Sequence, residues 1–202
     1  SVTLPTNPLF TSIVSGAFFK CSSLTSIDLS GTQVTTIGQN AFYYCTSLNS
    51  IIIPDSVETI GSNAFYGCTK LTSIDLSGTQ VTTIYYRVFG SCSSLTSITI
   101  PDSVTNISQE AFYNCTSLTS ITIPDSVTTI GSSAFQQAGL TSIDLSGTQV
   151  TTIGPSTFEQ AGLTSITLPD SLTTIGHDVF MNCSSLETID LGNSVTTIGE
   201  RV

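Results

Sequence analysis

Six cysteines are the first residues whose chemistry has to be assigned. A thiolate can act as a nucleophile or hold a metal ion, and two thiols can join in a disulfide. The cysteines lie at positions 21, 45, 68, 92, 115 and 183. The chain has no C-x-x-C motif and no Cys/His cluster, so the cysteines do not predict a metal site. Their even number leaves a disulfide framework open at this point.

The single histidine and the aspartates are the remaining candidates for acid–base chemistry. A Ser/His/Asp triad would need His177, but equivalent positions elsewhere hold Gln39, Ser62, Ser132 and Pro155, which predicts an exposed, variable residue. Aspartates recur at 28, 75, 144 and 190 and at 55, 102, 125 and 170. An exposed column of carboxylates has no burial to raise a pKa, and the D-x-D spacing of a calcium loop is missing. With no G-x-S-x-G, P-loop or H-E-x-x-H motif, we predict no enzymatic activity, no cofactor and no metal.

Charge and hydrophobicity exclude two kinds of partner. The 202 residues carry 14 acids and four bases, a net charge of −10, and 39% of them are hydrophobic. Phosphate would be repelled, so we expect no nucleic acid, and an anionic membrane surface is disfavoured for the same reason. No run approaches the roughly 18 apolar residues of a spanning helix, so direct membrane insertion of this segment is not expected. No signal peptide is visible, and we expect a mature form or a fragment.

A repeat of 22–24 residues positions all of these side chains. Leucine recurs at 24, 48, 71, 95, 118, 140, 163 and 186, phenylalanine recurs in the same rhythm from 18 to 180, and isoleucine from 13 to 198. The unit reads L-T-S-I-x-[LI]-[SP]-[DG]-x-V-T-T-I-G-x-x-A-F-x-x-C-x-x. One version turns at proline, as at Pro124, and the other turns at Ser-Gly with one extra residue, as at Ser30-Gly31. Such a period is typical of a solenoid, in which each unit buries its apolar face against its neighbours.

Each part of the unit predicts an element. The block L-x-x-I-x-[LI] alternates in polarity, so Ile27 and Leu29 are predicted to point inward from a half-buried strand, with Ser26 and Asp28 outward. The V-T-T-I block predicts a second short extended segment. The A-F-x-x-C block predicts a helical or 3₁₀ turn with one apolar face. We expect one solenoid domain over 1–202, with about 8.5 repeats that start near the leucines, and a chain cut from a longer array.

Stacking favours one of the two interpretations of the cysteines, although cysteines of adjacent coils would lie within disulfide range. All six occupy one position of the unit, and Ala138 and Ala161 fill that position in two others. Cys183 stands three coils from Cys115, roughly 14 Å at about 4.8 Å per coil, beyond the ~7 Å that a disulfide allows. A site that also accepts alanine needs a small, buried side chain. We therefore predict free thiols.

The units resemble the BspA-like leucine-rich repeat, L-x-x-I-x-I-P-x-x-V-x-x-I-G-x-x-A-F-x-x-C, over essentially the whole chain. The resemblance implies an α/β repeat fold, a right-handed solenoid with a parallel β-sheet on its concave face and short strands and 3₁₀ or helical turns on its other sides. The family occurs on the surfaces of host-associated bacteria and some protozoan parasites, and its members are implicated in adhesion to host cells and matrix proteins. The resemblance therefore implies an extracellular or cell-surface location and a protein or glycan partner. The analogy is one of fold.

Two surfaces are candidates for binding a partner. Solenoids commonly use the outward face of the sheet, although solubility explains its short polar side chains equally well. Its candidate residues are Ser26, Asp28, Ser73, Asp75, Ser97, Thr99, Ser120, Thr122, Ser142 and Asp144. Aromatic side chains beside the buried phenylalanines form the second candidate, because tyrosine offers contact area with a polar tip; they could also simply cover the turns. The candidates there are Tyr43, Tyr44, Tyr66 and Tyr113.

Three functional alternatives stay open from the sequence. The chain is either an adhesion module or a structural spacer that holds another domain away from the cell. The threonine pairs of V-T-T-I could also form an ice-binding ladder, although β propensity explains them. Three N-glycosylation sequons begin at Asn106, Asn114 and Asn182 and matter only in a eukaryotic source. The sequence fixes neither the partner nor the oligomeric state.

Overall fold

A computed structural model describes residues 2, 4 and 7–202 as one stack of coils. Each coil is numbered here by its buried phenylalanine, from Phe18 in coil 1 to Phe180 in coil 8. Six three-residue strands come from the L-x-x-I-x blocks: β2 (Ser26–Asp28), β4 (Ser50–Ile52), β6 (Ser73–Asp75), β8 (Ser97–Thr99), β11 (Ser142–Asp144) and β13 (Ser165–Thr167). Nine two-residue strands complete the fold: β1 (Ser12–Ile13), β3 (Thr36–Ile37), β5 (Thr59–Ile60), β7 (Thr83–Ile84), β9 (Asn106–Ile107), β10 (Thr129–Ile130), β12 (Thr152–Ile153), β14 (Thr174–Ile175) and β15 (Thr197–Ile198).

Equivalent residues of successive coils pair in parallel register. On the V-T-T-I side, Ile13 aligns with Ile37 and Ile37 with Ile60, in the three-stranded sheet β1-β3-β5. A six-stranded sheet, β15-β14-β12-β10-β9-β7, continues the same isoleucine column to the last coil. Every pairing joins the same position of two coils, so the predicted parallel solenoid is confirmed.

The L-x-x-I-x blocks, in contrast, do not form the single sheet that the sequence predicts. They pair only as β2-β4, β6-β8 and β11-β13. Each pair joins a Ser-Gly coil to the proline coil that follows it, and residues 119–124, including the candidates Ser120 and Thr122, lie outside any strand. Proline restricts the residue before it, and the two turn versions differ by one residue, so strand ends in successive coils do not match throughout.

The predicted helical turns, and with them the α/β class, are wrong: no helix occurs among the described residues. In coil 2, three overlapping turns replace a helix, closed by bonds such as Cys45 N–H to Phe42 C=O. The amides between them bond to the next coil, as from Phe42 N–H to Ala64 C=O at 2.7 Å. Because alternate amides are used between coils, they cannot serve an i→i−4 ladder. Asn40 and Tyr44 adopt φ of 55° and 53°, as the third position of a type II turn requires.

The core is a set of buried files that run the length of the stack. Phenylalanine rings from Phe18 to Phe180 stack at centroid distances of 5.1–5.8 Å, and their planes lie within 15° of one another. The Leu, Ile, Val and Ala/Cys positions form parallel buried files around them. Since no coil could cover its own apolar face, each is stabilised by its two neighbours.

Threonine and serine hydroxyls add a further set of bonds between coils. Thr128 Oγ1, for example, donates to the Thr105 carbonyl of the preceding coil at 3.2 Å, and Ser103 Oγ donates to the Val81 carbonyl at 2.7 Å. The first threonine of V-T-T-I therefore serves the backbone in several coils. This gives those side chains a structural role that weakens the ice-binding interpretation. Within the described residues, no helix is long and apolar enough to cross a bilayer.

Candidate functional site

The aspartates of the sheet face have a local structural role. In coil 2, Asp28 Oδ1 accepts a hydrogen bond from Ser30 N–H at 2.8 Å, and it thereby closes the turn after β2. Hydrogen bonds from Ser30 lower the pKa of Asp28. Asp75 and Asp144 repeat this arrangement, with lowered pKa values, towards the serines two residues on. The turn thus accounts for the column of aspartates without a ligand.

The hydroxyl residues of the sheet face are presented to solvent as separate strand pairs. Ser26 is half-buried, whereas the other candidates of this face are exposed: Ser73, Ser97, Thr99, Ser120, Thr122 and Ser142. Because these strand pairs are separate from one another, the hydroxyls do not form one continuous row along the solenoid.

The turn face, formed by residues 14–24, 38–48, 61–71, 85–95, 108–118, 131–140, 154–163 and 176–186, brings most of the predicted aromatic residues together. The rings of Phe19, Tyr43 and Tyr66 stack along coils 1–3, with centroids 5.1 and 5.4 Å apart. The ring faces therefore mainly contact one another. The ring edges and the tyrosine hydroxyls remain accessible to solvent or a partner.

Tyr44 stands apart from this stack. Its ring meets Tyr43 and Tyr66 edge to face, at interplanar angles of 66° and 63°. Three consecutive ring carbons lie 3.0–3.2 Å from the point where Gly67 would carry a Cβ, so one ring face rests on that glycine. The side chain remains exposed (39%), and its partial burial raises the pKa of the Tyr44 phenol.

Glycine in coil 4 ends the aromatic stack. Gly90 holds the position that Phe19, Tyr43 and Tyr66 hold in coils 1–3, and a Cβ there would lie 2.9 Å from the Tyr66 ring. Tyr113 follows in coil 5, beyond this gap. The structure therefore brings Tyr43, Tyr44 and Tyr66 together and leaves Tyr113 separate.

Cationic side chains border the aromatic residues. The Lys20 ammonium lies 5.3 Å from the centroid of the Phe19 ring. The Arg87 guanidinium lies 4.9 Å from the Tyr86 ring and 5.7 Å from the Tyr66 ring, and it also pairs with Glu110 of coil 5. Sequence analysis did not find this association, because lysine and arginine are too few to form a column of their own.

Charge changes sign along the turn face. In coils 1–4, its segments contain Lys20, Lys70 and Arg87 and no acid, a formal charge of +3. In coils 5–8, they contain Glu110, Glu159 and Asp178 and no lysine or arginine, a formal charge of −3. Three of the four bases of an acidic chain thus lie on one half of one face. An alignment of the units with each other would have revealed this.

Polar side chains replace the aromatic ones in coils 6 and 7. Gln136 Nε2 donates to Glu159 at 2.8 Å, and Gln137 Nε2 donates to the Gln160 carbonyl at 3.0 Å. Gln137 and Gln160 occupy the positions of Lys20 and Tyr44 in the repeat. In coils 6 and 7, a hydrogen bond between two amide side chains therefore joins these two positions.

The cysteines are free, as predicted, but they are not all buried. Five of them lie in the core, and Cys21 is exposed because it belongs to the first coil. Each buried thiol donates to a phenylalanine carbonyl of the preceding coil, as from Cys68 to Phe42 at 3.2 Å. Burial raises the pKa of Cys45 to about 11 and that of Cys115 to about 12. These thiols remain protonated at neutral pH and serve packing.

The histidine is exposed, as predicted, and belongs to a charge cluster at the last coil. His177 Nδ1 lies 2.8 Å from Asp178, which also binds Arg201 through two hydrogen bonds. These two partners, Arg201 first, hold the pKa of Asp178 well below its usual range. In the described part of the chain, no group of three His, Cys, Asp or Glu side chains is arranged to hold a metal ion.

Comparisons with known proteins agree with this architecture. The family model described as the BspA type leucine-rich repeat region matches residues 1–115 and 82–202. A leucine-rich cell surface protein from Faecalibacterium prausnitzii is 32% identical with a TM-score of 0.57, and the T. pallidum leucine-rich repeat protein is 30% identical with a TM-score of 0.58. The alignments cover 89% and 87% of this chain, but only 42% and 71% of those proteins.

A more distant structure shows the fold alone. The leucine-rich repeat protein from Eubacterium ventriosum is 24% identical, with a TM-score of 0.52, over 95% of this chain and 79% of that protein. No curated protein matches the chain significantly. The register of the coils, the repeat motif and the family match agree, and the chain belongs to the BspA-type leucine-rich-repeat family.

Proposed function

We propose that this chain is a non-enzymatic interaction module of a cell-surface protein and that it contacts its partner through the turn face of coils 1–4. The observation that carries the proposal is the concentration there of exposed aromatic rings and three of the four bases. Tyrosine and arginine are enriched at protein interfaces, where they supply most of the binding energy. The partner is a host or matrix protein, or the glycan that such a protein carries.

The surface location is proposed by analogy with a similar protein. The Faecalibacterium prausnitzii relative is described as a cell surface protein, and this chain spans 42% of its length. The exposed hydroxyls of the sheet face, from Ser73 to Ser142, are a second contact surface in this proposal. They rank below the turn face because they lack large side chains and because their aspartates already serve the turns.

The test uses one column of the repeat in two coils. Tyr44→Ser in coil 2 and Gln137→Ser in coil 6 remove equivalent side chains from the same face. Binding of each variant to purified matrix proteins, mucins and cultured epithelial cells would be measured to saturation. We expect Tyr44→Ser to weaken binding about tenfold or more, as for a hot-spot residue, and Gln137→Ser to leave it unchanged.

Two outcomes would reject the proposal. Absence of saturable binding by the unmodified chain would favour the alternative, a structural spacer in a larger surface protein. Equal losses in the two variants would show that the turn face of coils 1–4 has no special role. Thermal unfolding of each variant controls for a loss of fold.

A further inference from the structure

We propose that the space between Lys20 and Tyr44 is a binding pocket for an acidic sugar, namely a uronic or sialic acid residue. This inference rests on the proposed function and names the chemistry of the ligand. It is carried by one face of an aromatic ring, an ammonium group that forms no salt bridge with the described residues, and two hydroxyl residues, all of which line one depression.

The pocket lies on the turn face where coil 1 meets coil 2. Its volume is about 590 Å³, and it is lined by Lys20, Ser22, Tyr43, Tyr44 and Thr46. Ligand pockets in proteins commonly have volumes of roughly 300–1,000 Å³. The depression therefore has room for one sugar residue with its substituents.

One face of the Tyr44 ring is available to a ligand. The opposite face rests on Gly67, and the neighbouring rings of Tyr43 and Tyr66 meet Tyr44 edge to face. Tyr44 lines the pocket together with Lys20 and Ser22 of coil 1, so we place the remaining ring face on the pocket side. The π face of an aromatic ring carries partial negative charge, and it attracts the partly positive C–H groups on one side of a sugar ring.

Lys20 supplies the charge that an acidic sugar requires. Its ammonium lies over Phe19, 5.3 Å from the ring centroid, and Lys20 lines the pocket together with Tyr44. Lys20 forms no salt bridge with the described residues, and the turn segments of coils 1–4 contain no acid. A carboxylate in this pocket would gain a charge-assisted hydrogen bond.

The overall charge limits the ligand to a small anion. A long polyanion would extend over a chain of net charge −10 and be repelled, whereas a single carboxylate contacts only the basic part of the turn face. The hydroxyls of Ser22 and Thr46 line the same pocket and can exchange hydrogen bonds with sugar hydroxyls. A carboxylate side chain of a peptide could also pair with Lys20, but it lacks the set of C–H groups on one side of a sugar ring that the Tyr44 face attracts.

Coils 6 and 7 show the same two positions with amide side chains. Gln137 and Gln160 hold these positions and bond to each other at 3.0 Å. Neither offers a ring face or a charge. The ring face and the positive charge are therefore properties of particular side chains in coils 1 and 2, and the solenoid itself does not produce them.

The test is an NMR titration of the isotope-labelled chain with four probes. These are glucuronic acid, N-acetylneuraminic acid, glucose, and a short peptide rich in glutamate. We expect both acidic sugars to bind, with shifts at Lys20, Ser22, Tyr44 and Thr46, and to bind about tenfold more tightly than glucose. Equal affinity for glucose and glucuronic acid, or shifts confined to other coils, would overturn the proposal.

Matched variants separate the pocket from the general charge of the face. Lys20→Gln and Lys70→Gln remove one base each from the turn face, and only Lys20→Gln should abolish the preference for acidic sugars. Tyr44→Leu should weaken binding of both acidic sugars, whereas Tyr85→Leu, at another exposed tyrosine, should not. If Lys70→Gln had the same effect as Lys20→Gln, the pocket would be refuted.

The two proposals can fail independently. Binding of the peptide without binding of either sugar would assign the pocket to an acidic protein segment and reject the sugar. If Tyr44→Ser weakens binding to cells but neither acidic sugar binds the chain, the pocket inference fails and the proposed function stands. If the sugars bind but Tyr44→Ser leaves cell binding unchanged, the proposed function fails in its choice of surface.

Discussion

The turn face of coils 1–4 and the turn face of coils 5–8 share one backbone and differ in their aromatic and charged side chains. Both repeat the left-handed turn positions, the stacked phenylalanines and the buried small residue. Yet the first carries stacked aromatic rings and a formal charge of +3, and the second carries amides and a formal charge of −3. In this solenoid the buried files determine the fold, and the positions between them are free to acquire function coil by coil.

The difference follows from where each position points. Phe42 is fully buried, and its replacement would affect two neighbouring coils. The next residue, Tyr43, contacts its equivalents above and below and the surface residue Tyr44, so Gln136 or Glu159 can take that position in a later coil without a change of fold. Contacts in a solenoid are local, and a group of special side chains can therefore be confined to a few adjacent coils.

The largest expected effect tests whether the two regions share one core. Phe65→Ala in coil 3 and Phe135→Ala in coil 6 each remove a fully buried ring between two stacked neighbours. We expect both to lower the free energy of unfolding by about 3–5 kcal/mol in denaturant titrations. If one substitution lowered the free energy of unfolding far less than the other, the two regions would not share an equivalent core.

Alkaline pH should destabilise the coils that bury a cysteine more than the coils that hold alanine instead. Coils 2–5 each bury a cysteine, whereas coils 6 and 7 hold Ala138 and Ala161. Folding raises the pKa from the ordinary value of 9.0 to about 11 for Cys45 and about 12 for Cys115. Their contribution to stability is therefore complete below pH 9 and is lost as the pH rises from 9 towards 12, by about 1 kcal/mol per thiol and pH unit.

The measurement is unfolding by denaturant at pH 8 and pH 10 in the presence of a reductant. The variant Cys68→Ala/Cys92→Ala should lose less stability between the two pH values than the unmodified chain does. An identical loss in both proteins would show that the thiols do not cause the alkaline sensitivity. At pH 8, a thiol reagent should label Cys21 and spare the five buried cysteines.

A smaller effect is expected where the aromatic residues depend on glycine. Gly67 has φ of 72°, and its missing Cβ makes room for the Tyr44 ring. Gly67→Ala should cost about 1–2 kcal/mol, and less when Tyr44 is also replaced by alanine, because part of the cost is displacement of the ring. Gly162→Ala in coil 7, where the nearest atom is 3.4 Å away, should change the free energy of unfolding by less than about 0.5 kcal/mol. If the effects of Gly67→Ala and Tyr44→Ala on the free energy of unfolding were additive, this account would be contradicted.

The smallest effect concerns the ion pair that joins the two regions. Arg87 of coil 4 pairs with Glu110 of coil 5, and their side chains are 37% and 12% exposed. Glu110→Gln should lower the free energy of unfolding by about 0.5–1 kcal/mol, with a smaller loss in concentrated salt, since the pair is partly exposed to solvent. Gln39→Ala, at the equivalent exposed position of coil 2, is the control. A salt-independent loss would assign the effect to packing.

The sequence predicted the columns of buried side chains because burial requires an apolar residue at the same position of every repeat. The phenylalanine, isoleucine and leucine columns, and the alignment of Phe42, Phe65 and Phe89, are confirmed because only large apolar side chains can fill those positions. The predicted helical turn was wrong because an inward pattern such as Ala41, Phe42 and Cys45 suits both a helix and a series of turns bonded to the next coil. Side-chain periodicity does not specify which carbonyl an amide will bond to.

The candidate site was predicted only in part. The sequence indicated Tyr43, Tyr44, Tyr66 and Tyr113 as one group. It could separate neither Tyr113 from the others nor the stacked rings from Tyr44, which depends on a glycine one coil away. Nor did the column of aspartates reveal that its carboxylates close turns. Both features depend on contacts in the turns, either between coils or directly after a strand. The geometry of the turn determines which atoms come into contact there.

A footprint of the tyrosines tests the central claim most directly. The chain would be nitrated free and when saturated with a partner, whether a cell surface or a matrix protein, and modification would be read at each of the six tyrosines. We predict that the bound partner protects Tyr44 and the tyrosines around it in coils 2–4 and leaves Tyr113 of coil 5 as reactive as in the free chain. Protection of Tyr113 with Tyr44 unchanged would contradict the assignment of binding to the aromatic, basic half of the turn face.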